Sequence, residues 1–148
     1  RDVTTVDADI PLVACLPEIA VSTRDARRVV PDEVGMEDLV STVGNAATLS
    51  VGMCRSDPAL VGRGMTDPVV TPARASLITG YETVREAALS AGATGVTVSG
   101  AGPSVLATCY APDRTEVASA MVSAFHEAGV DARAYQTKIG RGAEVLDA

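Results

Sequence analysis

Histidine is nearly absent from this chain. Its 148 residues hold one, His126, so any Ser-His or Cys-His nucleophile would have to be built on that residue. Cysteine is sparse and unpaired. Cys15, Cys54 and Cys109 stand 39 and 55 residues apart with no C-x-x-C, so no structural zinc site is expected. Such odd, scattered cysteines read as small buried apolar residues of a reducing compartment. Positive charge is short as well: 19 acidic residues against 12 basic give a net charge of −7. That excludes a generally basic nucleic-acid surface and electrostatic docking on anionic lipid. Lysine is almost missing, since eleven of the 12 basic residues are arginine and only Lys138 is not. Adaptation to high salt and a GC-rich coding bias explain this equally well, and neither speaks to chemistry.

An initiator methionine and a secretory signal pattern are also lacking. The chain opens Arg1-Asp2-Val3-Thr4-Thr5, which reads as a cut inside a larger protein. No membrane span is expected. The longest uncharged stretch, residues 87–112, has the length of one. It contains Gly92, Gly95, Gly100, Gly102, Pro103 and six Ser or Thr, which describes turn-containing structure inside a domain. There is no internal repeat and no low-complexity segment.

What remains is an ordinary globular composition, 47% apolar and 21% charged. The length suits one domain that buries roughly 70% of its unfolded surface without a staple. Residues 10–16 (IPLVACL) read as a buried strand. Ser22 with Asp25 forms a capping-box-like helix start, with Thr23 as the alternative cap and a stop before Pro31. Apolar residues at 36, 39, 40, 43, 47 and 54 have helical spacing, interrupted by Gly44 and Gly52. Asp57-Pro58 opens a short helix. Thr79-Gly80-Tyr81-Glu82 reads as a capping box, with Tyr81, Val84, Ala88 and Ala91 on one face and Gly92 at the end. Residues 95–99 and 104–109 read as strands. Asp113 with Glu116 opens a helix burying Val117, Met121, Ala124, Phe125 and Ala128, and residues 130–139 form a last strand. This order predicts an α+β fold: a ferredoxin-like antiparallel sheet with helices on one face.

Two features could carry chemistry. The loop Ser99-Gly100-Ala101-Gly102-Pro103-Ser104 lets backbone N–H groups approach a ligand, although an unusual hairpin turn would use the same residues. No helix follows it, which excludes a dinucleotide fingerprint. The second feature is arginine. Arg24, Arg27 and Arg28 crowd a helix start, where cations are unfavourable unless an anion binds. Arg74 follows a stiff entry between Pro68 and Pro72 and could aim its fork at a carboxylate or phosphate. Pairing with Asp25 and nearby acids, or simple exposure, is the plainer reading of Arg24 and Arg28, and an ordinary surface ion pair is an equal alternative for Arg74. His126, late on its helix, reads as a surface residue at a helix C-terminus.

Together these segments resemble the GHMP kinases, named for galactose, homoserine, mevalonate and phosphomevalonate kinases. Thr97-Val98-Ser99-Gly100-Ala101-Gly102-Pro103-Ser104 resembles their third motif. Ser22-Thr23-Arg24-Asp25-Ala26-Arg27 resembles the S-T-x-x-A-R segment of the homoserine kinase branch. Asp67-x-x-Val70-x-x-Ala73-Arg74-x-x-Leu77-Ile78-x-Gly80 resembles its D-x-x-V-E-P-x-R-x-x-L-I-P-G segment, with Thr71 in place of glutamate and Thr79 in place of proline. Gly92-Ala93-Thr94-Gly95-Val96 resembles its G-A-x-G-V lead into the loop. Nothing matches the family's Gly-Leu-Gly-Ser-Ser phosphate loop.

The resemblance implies a C-terminal half: residues 1–9 as a link from a missing N-terminal domain and 10–148 as a GHMP kinase C-terminal domain. It implies ATP-dependent phosphorylation of L-homoserine to O-phospho-L-homoserine, in cytoplasmic threonine biosynthesis, by a longer chain of which this fragment alone is inactive. Arg27 and Arg74 would clamp the homoserine carboxylate, Thr23 would lie near the reacting hydroxyl and serve as the catalytic residue, and Gly100 would bring backbone to the substrate. ATP and Mg²⁺ would be held mainly by the missing half, with no metal ligand here. The partners are then homoserine and ATP, with no nucleic acid and no membrane, and a homodimer is left open. Two alternatives stand beside this reading: another GHMP kinase of mevalonate-pathway type, and an ACT-like amino-acid-binding regulatory module.

Overall fold

The computed structural model describes residues 5–140 and 142. Four strands, β1 (Pro11–Pro17), β2 (Ala93–Val98), β3 (Val105–Cys109) and β4 (Ala132–Lys138), form one sheet in the order β2-β3-β1-β4. Every neighbouring pair is antiparallel. This is the ferredoxin-like sheet expected from the β-α-β-β-α-β order.

The alternation of β1 sorts its side chains between two cores. Val13 and Cys15 join Val105, Ala107 and Cys109 of β3 in the larger one. Two helices, α5 (Tyr81–Ser90) and α6 (Arg114–Glu127), cover that face. They contribute Tyr81, Val84 and Ala88, and Val117, Met121, Ala124 and Phe125, respectively, which are the faces their spacing predicts. Ile10 and Leu12 point the other way, into a smaller core with Val61, Leu49, Met53 and Met65. That core is supplied by α2 (Met36–Arg55) and α3 (Pro58–Gly64), which add a partial cover to the second face.

Contact of α3 with the sheet is direct. A Cβ on Gly62 would lie 2.1 Å from the Thr94 carbonyl oxygen, and one on Gly95 would lie 2.5 Å from the Gly62 Cα. Only glycine on both sides allows backbone to pack on backbone here. Beside this contact the buried Thr108 hydroxyl meets that of Thr94 at 2.9 Å.

Side-chain caps start two of the helices. Ser22 Oγ accepts from the N–H groups of Arg24 and Asp25 and caps α1 (Thr23–Arg28). The Asp57 carboxylate caps α3 by accepting from Ala59 and Leu60, with Pro58 at the first helical position.

Several expectations change. Gly44 and Gly52 do not interrupt α2, which runs unbroken for 20 residues; Gly52 instead sits against Leu60 and Val61 of α3. Thr79 does not cap α5. Gly80, at φ 81°, is its N-cap and no side chain bonds there. Residues 68–74, read as a stiff entry, contain a further helix, α4 (Val70–Ala75). Cys54 is exposed, unlike Cys15 and Cys109, because it lies on the side of α2 turned away from α3. The uncharged stretch at 87–112 is the end of α5, the β2–β3 pair and the loop between them. No helix among the described residues is long and apolar enough to cross a membrane.

Two measurements check this packing. Gly62→Ala should destabilise the fold by about 3 kcal/mol or more, since backbone rather than a side chain must yield, seen as a lowered urea midpoint. A thiol reagent should modify one cysteine in the native protein and three after denaturation. Burial pushes the Cys15 thiol up to about 11 and that of Cys109 above its ordinary value, so neither supplies thiolate at neutral pH.

Candidate functional site

Arg74 lies in the last turn of α4 and is half-buried. Its Nε donates to the Ala26 carbonyl at 3.2 Å and its Nη1 to the Gly100 carbonyl at 2.6 Å. One guanidinium therefore joins α1 to the glycine loop, across 48 and 26 residues of sequence. Its Nη2 group and the second N–H of Nη1 remain for a ligand. Two backbone carbonyls hold Arg74, not the acidic side chain of an ordinary ion pair, and neither its helix nor these partners were legible beforehand.

The helix that aims it begins at Asp67. That carboxylate accepts from the backbone N–H groups of Val69, Val70 and Thr71, each at 2.9 Å, and from the Thr71 hydroxyl at 3.3 Å. Partial burial works to raise its pKa. The four hydrogen bonds outweigh this and hold it below the ordinary carboxylate value. The signal was present in the sequence: Asp67-Pro68 repeats the Asp57-Pro58 start of α3. Thr71, where glutamate is usual in the resembling segment, also meets the Thr97 hydroxyl at 2.9 Å, pinning α4 to β2.

The glycine loop leaves β2 and enters β3. Ser99 N–H donates to the Ser104 carbonyl at 2.8 Å and Gly102 N–H to the Ser99 carbonyl at 3.0 Å. Gly100 and Gly102 have φ of 58° and 81°, a region other residues enter at a cost. A Cβ on Gly102 would touch Ile78 and Val98, whereas one on Gly100 would project into open space. The N–H groups of Gly100 and Ala101 bond to nothing among the described residues. Pro103, after a cis peptide bond, and Ser104 complete the loop and are half-buried.

On α1, Thr23 and Arg27 stand four residues apart, on one helical face. Both are exposed. Arg28 is neutralised by Asp25, while Arg24 and Arg27 have no ion-pair partner among the described residues. His126 is exposed, 3.9 Å from Asp131, as a surface residue. Among the described residues no group of three or more His, Cys, Asp or Glu could hold a metal ion.

A ferredoxin-like antiparallel sheet with helices, whose β2–β3 hairpin turns through a glycine loop, is the fold of the C-terminal unit of a class of small-molecule kinases. The chain belongs to the GHMP kinase family, whose C-terminal family model matches residues 49–128. It is 70% identical over 142 residues to the homoserine kinase of Halorubrum lacusprofundi and 72% identical over 144 residues to that of Natronomonas pharaonis. Those matches cover 96% and 97% of this chain but 48% and 50% of the relatives, so it spans about half their length. Among solved structures, homoserine kinase from Cytophaga hutchinsonii superposes with a TM-score of 0.85 at 33% identity, over 92% of this chain and 43% of that one. L. major mevalonate kinase, at 15% identity and a TM-score of 0.65, shares the fold.

The Asp67 cap is testable by pH. Its folded pKa is lowered, so its contribution is present above the ordinary carboxylate value and is lost as pH falls through the lowered one. Asp67→Ala should cost about 0.5–2 kcal/mol at neutral pH and flatten the acid limb of a stability-against-pH curve. An unchanged limb would show that the cap contributes nothing.

Proposed function

We propose that this chain is the substrate-holding half of a homoserine kinase, which transfers the γ-phosphoryl group of ATP to the hydroxyl of L-homoserine. The observation that carries this reading is the Arg74 guanidinium, bonded to both α1 and the glycine loop with part of its fork left free. Phosphoryl transfer asks a protein mainly for positioning and charge neutralisation. Homoserine is small and offers little apolar area, so its carboxylate must supply orientation. Arg74 and Arg27 grip that carboxylate. Thr23, one turn before Arg27, then stands beside the reacting hydroxyl, and the open space over Gly100 admits the substrate against backbone.

ATP carries Mg²⁺ to the reaction. The free Gly100 and Ala101 N–H groups and the arginines suit an anionic ligand, but the described residues offer no metal cluster. We assign the phosphates and metal mainly to the part of the longer relatives that this chain does not span. With O-phospho-L-homoserine as the product, we assign the reaction to threonine biosynthesis and the enzyme to the cytoplasm. The family match and the identity to homoserine kinases support this over an ACT-like module. A mevalonate-type kinase shares the fold, and assay with mevalonate in place of homoserine separates the two.

The test uses the complete polypeptide carrying this sequence. Lysine cannot reproduce a two-pronged grip, and a charge-assisted hydrogen bond is worth roughly 1.5–3 kcal/mol, or about ten- to a hundredfold in binding. Arg74→Lys should raise KM for homoserine by at least about tenfold while leaving that for ATP nearly unchanged. Arg27→Lys should do the same, and the double variant should fall short of the product because both touch one carboxylate. Arg24→Ala is the control. A normal homoserine KM in both lysine variants, or a loss of ATP affinity instead, would overturn the assignment.

A further inference from the structure

Arg74 works from a slender mount. Helix α4 is six residues long, and Ala75 is the one among them that is buried. Between α4 and α5 lies a cavity of about 220 Å³ bordered by Thr71, Pro72, Tyr81, Glu82 and Arg85. A single buried alanine offers little apolar area, so burial cannot fix how far the helix rolls about its own axis. A helix this short does not hold itself in water either. Polar ties must place it. The two that Arg74 makes, to Ala26 and Gly100, run through a long side chain whose torsions can absorb a roll. The tie at Thr71 is short. Thr71 precedes Arg74 by three residues and so shares its side of the helix, and its hydroxyl meets that of Thr97 on β2 at 2.9 Å.

Hydroxyl protons give that tie a direction. A threonine hydroxyl donates one proton and accepts with two lone pairs. Thr71 Oγ1 lies 3.3 Å from Asp67 Oδ2 and 2.9 Å from Thr97 Oγ1. Asp67, with its pKa held below the ordinary value, is an ionised carboxylate at neutral pH and can only accept. A hydrogen bond to a charged acceptor is roughly twice as strong as one between neutral groups. The Thr71 proton therefore goes to Asp67, and Thr71 accepts from Thr97. The reverse order would turn lone pairs of Thr71 toward the carboxylate. A directed chain results, from Thr97 to Thr71 to Asp67. It starts on the sheet and ends on the carboxylate whose other bonds hold the first N–H groups of α4. Its sheet end stands three residues before Gly100, so β2 and its loop carry both the anchor of α4 and a carbonyl that Arg74 grips.

We propose that Thr71 and Thr97 are positioning residues for the substrate carboxylate: their hydroxyl pair sets the roll of α4, and with it the angle of the free part of the Arg74 fork. Each proton is committed within the chain, so both residues act through Arg74 rather than on the substrate. This role rests on the homoserine kinase reading above.

Steady-state kinetics on the complete polypeptide test it. Valine keeps the branched shape of threonine and removes the hydroxyl. Thr71→Val should raise KM for homoserine about three- to tenfold, with KM for ATP and kcat nearly unchanged. Thr97→Val should do the same, and the two together should be no worse than either, because both cut one chain. Thr71→Ser keeps the hydroxyl and should keep a homoserine KM near that of the wild type. In an Arg74→Lys background, Thr71→Val should add almost nothing. A purely structural role would lower the melting temperature without separating the two KM values. Should Thr71→Val fold poorly, Thr97→Val carries the same comparison from the sheet side. A normal homoserine KM in both valine variants, equal rises for both substrates, or a full further loss on top of Arg74→Lys would overturn the proposal and leave the homoserine kinase reading standing. A wild-type polypeptide that phosphorylates another alcohol and not homoserine would overturn that reading, and this role with it.

Discussion

Backbone contact between Gly62 of α3 and Thr94–Gly95 of β2 is the constraint from which the site follows. It anchors α3 on the first residues of β2. From there the chain runs along the same strand: α4 touches its middle through the Thr71–Thr97 hydrogen bond, and Arg74 reaches Gly100 just beyond its end. Three contacts, at 94–95, 97 and 100, thus hold the 62–74 segment parallel to one edge of the sheet. Side chains at either glycine would lift the helix off the strand and carry the guanidinium away from the loop.

Polar groups at the site are arranged so that few are wasted. The Asp67 carboxylate is occupied in starting α4, where backbone N–H donors offset its charge. Asp25 is occupied by Arg28. What faces outward is positive or N–H: Arg27, the rest of the Arg74 fork, and the Gly100 and Ala101 amides. In a chain with a net charge of −7, this is a local reversal of sign where the loop and α1 meet, of the kind that favours anions.

The part of the fold legible in the sequence is the part with short-range causes. Ser22 and Asp57 cap their helices by bonding to N–H groups two or three residues on. The apolar faces of α5 and α6 follow from helical spacing, and the glycine loop from residues that few other structures tolerate. Even the missed α4 had a local signal in Asp67-Pro68. The Thr79 capping box failed for a local reason too: Gly80 enters the left-handed region, which turns the backbone so that it, not Thr79, precedes the first helical turn.

The sequence by itself determined the strand alternation, the capped starts of α1 and α3, the loop, and the family resemblance carried by Ser22-Thr23, Arg27, Arg74 and the glycine motif. Only the tertiary structure decided what Arg74 holds, because its partners lie 26 and 48 residues away and no spacing rule connects them. It also decided which side of α2 is buried. The helix has apolar residues all but around its circumference, and periodicity cannot say which of two apolar faces a neighbour will cover. Gly52, by letting α3 come within reach of its backbone, made that choice and left Met36, Val40, Val43 and Cys54 turned outward.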